Sequence, residues 1–173
     1  MPVTVGPSRR SGALVLDGMA ERHDVTGPTL SLVTSWRDSA SQQAQDDLDR
    51  LLNAALPFAQ QMLDKNGKFY PYGVGLTDGG DSEMLAGWTG DEHPPSDQVL
   101  SLLLDGARQR SSTLTAVALV ADVRANGGDA IRVEMEHRDG PVMTVLLAYK
   151  KRRFGRGVEY GDLSAGAAEP RVW

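Results

Sequence analysis

Hydrophobic and polar positions follow different rhythms along the chain, and the rhythm changes near residue 39. Residues 1–38 hold no sustained period. "GPSRRSG" and "TGP" break the chain repeatedly, and only "TLSLVTSW" alternates, as a weak edge strand would. This stretch reads as a flexible N-terminal arm, with Met19 as a second candidate start. From Ser39 the repeat becomes helical. Leu48, Leu51, Leu52, Ala55 and Leu56 share a face that Ala59, Met62 and Leu63 continue. Ser39 or Ser41 can cap the start, Pro57 predicts a kink or a split near Leu56, and Gly67 in "KNG" marks the stop.

Shorter periods follow. "KFYPYGVGLT" and "SEMLAGWT" flank "DGGD" and predict a hairpin, with Pro71 at a strand start or on an edge. A second helix is expected from Ser96 to Arg110, with Val99, Leu102, Leu103 and Ala107 on one face. "TLTAVALVADVRA" is apolar on both faces, as an interior strand would be, and "NGGD" turns it around. In "AIRVEMEHR", Ile131, Val133, Met135 and His137 point one way, and Arg132, Glu134, Glu136 and Arg138 the other. Read as a two-residue turn, Asp139-Gly140 sets His137 opposite Val142, Glu136 opposite Met143, Glu134 opposite Val145 and Arg132 opposite Leu147 in the return strand "PVMTVLLAY".

The order is α-β-β-α-β-β-β. It predicts an α+β domain over residues 39–150, a five-stranded, mostly antiparallel sheet with two main helices. Residues 151–173 read as a C-terminal tail that docks on the domain through Val158, Tyr160, Leu163, Val172 and Trp173, adding a short strand around Val158 to Tyr160.

Composition narrows the classes. The chain has 173 residues, 40% hydrophobic and 24% charged, which suits one domain with one core. No apolar run approaches the roughly 18 residues of a membrane span, and Asp17 interrupts the apolar stretch after Arg9-Arg10, which argues against a secretory leader. Cysteine is absent, so disulfides, thiolate metal sites and a cysteine nucleophile are excluded. A cytoplasmic protein is the expectation, and the formal net charge of -5 disfavours nucleic acid as a partner.

Four stretches carry candidate chemistry. Asp91-Glu92-His93 offers two acids and an imidazole, but Pro94-Pro95 after it fixes where a helix can begin, with Ser96 as its cap, so the helix-start reading is preferred. Glu134 and Glu136 share one strand face, the spacing of a paired acid/base site and equally of a solvated strand. His137 lies on the apolar side of that strand. Lys150, Lys151, Arg152, Arg153 and Arg156 surround Phe154 and form the one basic cluster, suited to a phosphate, a nucleic acid or an acidic protein face, or to a solvated strand end. The glycines of "VGLTDGGDSEM" lack a Walker lysine and a following helix, Asp78 and Asp81 do not complete a calcium loop, and no G-x-S-x-G occurs; no cofactor is expected.

Through "FYPYG", "GDEHPPSDQVLSLL", "AVALVADVR", "GDAIRVEMEHRDGP" and "RRFGRGVEYG", the chain from about Leu48 to Trp173 resembles a group of small bacterial proteins from high-GC genomes that have no assigned function. That resemblance implies kinship and no activity. The element order is similar to that of Roadblock/LC7 and longin-like domains, which implies GTPase-associated scaffolding; the match is topological, and "GVGLTDGGDSEML" departs from the family's strand and turn.

The reading that follows is a non-catalytic protein-interaction module for an unidentified protein partner, with a homodimer through a sheet edge or an apolar helix face as one form of it, and with His93, Glu134, Glu136, His137, Lys151, Arg152 and Arg153 as candidate interaction or ligand residues. The alternatives are a small-ligand binder or enzyme using Glu134 and Glu136 with His93 or His137, and the Roadblock-like scaffold.

Overall fold

In the computed structural model, residues 40–173 are described, apart from Ala86, Trp88 and Arg156. The N-terminal arm and "TLSLVTSW" lie outside the described residues.

Helix α1 spans Gln42–Asn66. Ser41 is its N-cap, its hydroxyl accepting from the Ala44 N–H at 3.2 Å, and Gly67 closes it at φ 69° with its N–H on the Leu63 carbonyl. Pro57 lies inside this one continuous helix, which does not split. Strands β1 (Tyr72–Thr77) and β2 (Ser82–Leu85) form the expected hairpin, with Pro71 immediately before the first. Helix α2 covers Ser96–Gln109. Its N-cap is Pro95, which has no side-chain oxygen; Ser96 is the first helical residue rather than the cap.

Strands β3 (Leu114–Ala125), β4 (Gly128–His137), β5 (Val142–Lys151) and β6 (Val158–Ala167) complete the sheet. The order is β2-β1-β3-β4-β5-β6, and every pairing is antiparallel. The sheet therefore has six strands, not five. What the pattern marks as a tail supplies a strand of ten residues. Its periodicity is hidden by a register shift, where Gly161 and Asp162 face the single residue Ala148.

Asn126 and Gly127, both at positive φ, turn β3 into β4 with two residues, as a type I′ hairpin requires. The next hairpin corrects the expected register. His137 donates its N–H to the Pro141 carbonyl, and Gly140, at φ 109°, donates to His137. The loop is three residues long, so Glu136 faces Val142, Glu134 faces Thr144 and Arg132 faces Leu146.

The sheet is covered on both sides. Helix α1 packs on Tyr72, Val74, Ala116, Ala118, Val120, Ile131, Val133 and Met135. Helix α2 packs on the opposite face through Val99, Leu103, Leu104 and Ala107, against Leu85, Leu114, Val117 and Leu119. This is why β3 is apolar at odd and even positions alike. On the α2 side β1 presents glycines: a Cβ at Gly75 would lie 2.8 Å from a Leu114 methyl, and one at Gly73 3.0 Å from the Leu85 Cβ.

Candidate functional site

Alternation along β4 sends Glu134 and Glu136 to the α2 side of the sheet. There they meet the segment after β6. The carboxylate of Glu136 accepts the backbone N–H groups of Arg171, Val172 and Trp173 at 2.8, 2.9 and 2.8 Å. Glu134 sits between two guanidinium groups, Arg171 at 3.0 Å and Arg132 at 3.2 Å. Arg108 on α2 donates to the Arg171 carbonyl at 2.8 Å, and the Trp173 indole N–H donates to the Ser111 carbonyl at 3.2 Å. Val172 and Trp173 pack beside the α2 cluster. Under the segment remains a pocket of about 230 Å³, walled by Leu104, Val117, Leu119 and Val142 with Glu134 and Glu136 at its rim.

His137 belongs to the other face. It is 1% exposed, and its Nε2 lies 3.3 Å from Oδ2 of Asp47 on α1, itself nearly buried. Its Nδ1 accepts the Asp139 N–H at 3.0 Å, which places the ring proton on Nε2, donating to Asp47. Gln43 donates to the second oxygen of Asp47 at 2.9 Å. The sheet thus separates His137 from Glu134 and Glu136, and an acid/base site combining them on one face is not formed.

His93 lies on the surface, its Nδ1 2.9 Å from the Tyr70 hydroxyl. Asp91 and Glu92 are exposed beside it. Among the described residues no three His, Asp or Glu side chains gather as a metal ion would require. Lys150 and Lys151 end β5, and Arg152 and Arg153 follow in the β5–β6 loop, all exposed, with Phe154 91% exposed beside them. Arg152 reaches Glu159 at 3.7 Å. A wide groove at this end of the sheet is lined by Arg124, Lys150 and Lys151 together with Asp129, Glu159 and Asp162, so it carries charges of both signs. The Tyr149 hydroxyl donates to Asp122 at 2.6 Å. Burial first, and then that bond to an acid, push the phenol well above its ordinary value.

The feature least visible in sequence is the edge formed by β6. Val158 is buried and its N–H donates to Asp64 on α1 at 3.3 Å; the Tyr160 hydroxyl donates to the Gln60 carbonyl at 3.0 Å. Beyond Tyr160 the strand leaves the helix, and Gly161, Asp162, Leu163 and Ser164 are exposed. Leu163, expected as an anchor, is 52% exposed. The other edge, β2, has four residues, with Glu83 paired to Arg110.

No family model, no curated protein and no solved structure matches the chain. No helix among the described residues is long and apolar enough to cross a membrane.

Proposed function

We propose that the protein is a non-catalytic interaction module whose partner is a second copy of itself, joined through the outer edge of β6. One observation carries this reading: beyond the bulge at Gly161–Asp162, the marginal strand runs through Leu163–Ala167 without charge, lysine or proline and exposes a leucine. Edge strands usually carry such residues because unpaired N–H and C=O groups recruit other strands. The β2 edge is short and ion-paired by comparison.

The sequence of β6 suits isologous pairing. With Leu163 on a two-fold axis, two antiparallel copies bring their Leu163 side chains together. Asp162 then faces Ser164 of the second copy and Glu159 faces Ala167, so no acid faces another. The Asp162 carboxylate can accept from that serine hydroxyl. The two sheets merge, and each newly paired backbone group replaces a bond to water, so specificity comes from register and the apolar contact.

Light scattering across a concentration series tests the reading on the full chain. Wild type is expected to show a dimer mass at micromolar concentration. Leu163→Lys, and independently Leu163→Asp, should raise the dissociation constant tenfold or more with little change in melting temperature, because Leu163 is exposed and each substitution sets like charges against each other on the two-fold axis. A monomer mass throughout, or a dimer indifferent to both substitutions, overturns it.

A further inference from the structure

We infer that the face of the sheet beside α2 is a peptide-binding groove, and that the chain's own segment Ala168–Trp173 is its resident ligand. The class of peptide it takes is basic–aliphatic–aromatic, bent at the basic position so that successive backbone N–H groups converge. The site lies on the α2 face of the sheet and does not depend on dimerisation through the β6 edge.

Each part of the groove reads a different feature of the segment. Glu136 binds three successive backbone N–H groups with one carboxylate, a recognition blind to side-chain identity and demanding a backbone bent at Arg171 so that successive N–H groups converge instead of alternating as they do in a strand. Glu134 reads a cation at the first of these positions, through the Arg171 guanidinium. The Ser111 carbonyl reads an indole N–H at the third. Arg108 holds the peptide carbonyl between them. Position 172 is read by apolar surface alone, from Leu104, Val117 and Leu119.

The resident is smaller than its site. The pocket of about 230 Å³ beside the segment is lined on the segment's side by Ala168, Glu169, Arg171 and Val172, and on the other by Leu104, Val117, Leu119 and Val142 with Glu134 and Glu136. It is partly open to solvent, so a bulkier side chain can enter it. A ligand with a larger aliphatic group in place of Val172 fills it and gains contact that the resident lacks. Polar recognition that is complete, combined with apolar filling that is not, describes a segment held in place yet open to displacement by a better-fitting peptide.

The test uses the full chain and three amidated, fluorescein-labelled peptides. One is Ala-Ala-Glu-Pro-Arg-Val-Trp; the second has leucine for the valine; the third has glutamate for the arginine. Fluorescence anisotropy is measured against wild type and against the double variant R171A/W173A, in which the resident is weakened. The double variant is expected to bind the valine peptide at least tenfold more tightly than wild type does. The leucine peptide should bind about fourfold more tightly again, the gain from burying one more methylene. The glutamate peptide should not bind, and adding E136A should abolish binding of the valine and leucine peptides. Circular dichroism and a melting curve accompany each variant. A double variant that keeps its fold but binds no peptide overturns the inference. So does equal binding of all three peptides, or a double variant that no longer unfolds cooperatively, which would make the segment a structural part of the core.

Discussion

The Trp173 N–H donates to Oε1 of Glu136 at 2.8 Å, across 37 residues of sequence. Arg171 and Val172 donate to the other oxygen of the same carboxylate. A six-residue segment without secondary structure is thereby fixed by an acid in the middle of a sheet.

Glu136→Ala removes the acceptor for all three groups at once. The segment can find water instead, so the loss is bounded by the docking energy, about 1–3 kcal/mol. Denaturant midpoints should fall accordingly, and the amides of Arg171 and Val172 should exchange with solvent at rates near those of a free peptide. Protection that survives the substitution contradicts the structural role assigned to Glu136.

Gly75→Ala should destabilise by about 1–3 kcal/mol in urea unfolding, through overpacking. The new methyl would sit 2.8 Å from Leu114 Cδ2, and Leu114 is fully buried, so the leucine has little room to yield. Pairing with Leu114→Val should recover part of the loss, because it removes a methylene from the crowded side.

Much of this architecture is legible in the sequence, and the exceptions share a cause. Alternation along "AIRVEMEHR" separates His137 from Glu134 and Glu136 without any structure. What Glu136 holds is not legible, because its partners are backbone N–H groups, which every residue but proline has. Strand β6 is hidden for a related reason: "VEYGDLSAGA" is rich in small residues, and its shift at Gly161–Asp162 breaks the alternation that would reveal it. The β4–β5 register slips by one in a sequence reading because Asp139-Gly140 looks like a two-residue turn, whereas Arg138 belongs to the loop as well.

Ser96→Ala illustrates a difference of one position. A hydroxyl there suggests a cap, but Pro95 occupies the capping place and Ser96 is already helical. The substitution is expected to shift stability by no more than about 0.5 kcal/mol in thermal or urea unfolding, as an exposed replacement without a special role does. A loss of 1 kcal/mol or more would assign Ser96 a capping bond that this geometry lacks.

Alkaline pH should weaken the fold through its tyrosines. Burial raises the phenols of Tyr72 and Tyr149 well above their ordinary value and that of Tyr160 to about 12; Asp122 adds to the effect on Tyr149 and Asp64 to that on Tyr160. Between pH 10 and about 12 the unfolded chain has lost these protons and the folded chain retains them. The stability they contribute is therefore complete below pH 10 and declines as pH rises through that window. Absorbance at 295 nm should show the folded protein ionising later than the urea-unfolded protein. Tyr149→Phe should reduce the lag. Superimposed titration curves would contradict the burial of all three rings.

The Asp47–His137 pair gives the largest expected effect of a single substitution. Both side chains are nearly buried, one on α1 and one at the end of β4, so the pair ties helix to sheet. His137 uses both ring nitrogens, accepting from Asp139 and donating to Asp47. His137→Ala removes the donor and opens a cavity, leaving the buried carboxyl group of Asp47 with Gln43 as its remaining bond. Leaving a buried polar group without its partner costs about 1–3 kcal/mol, and the cavity left by the imidazole adds to that. Asp47→Ala should cost less, because it opens a smaller cavity and leaves behind one ring N–H rather than a carboxyl group. The double variant His137→Leu with Asp47→Leu removes both polar groups and refills the volume, so it should recover most of the loss. Urea midpoints of the three variants decide the matter. If the double variant is no more stable than His137→Ala alone, the cost arises from packing at the helix–sheet contact and not from the acid left without its partner.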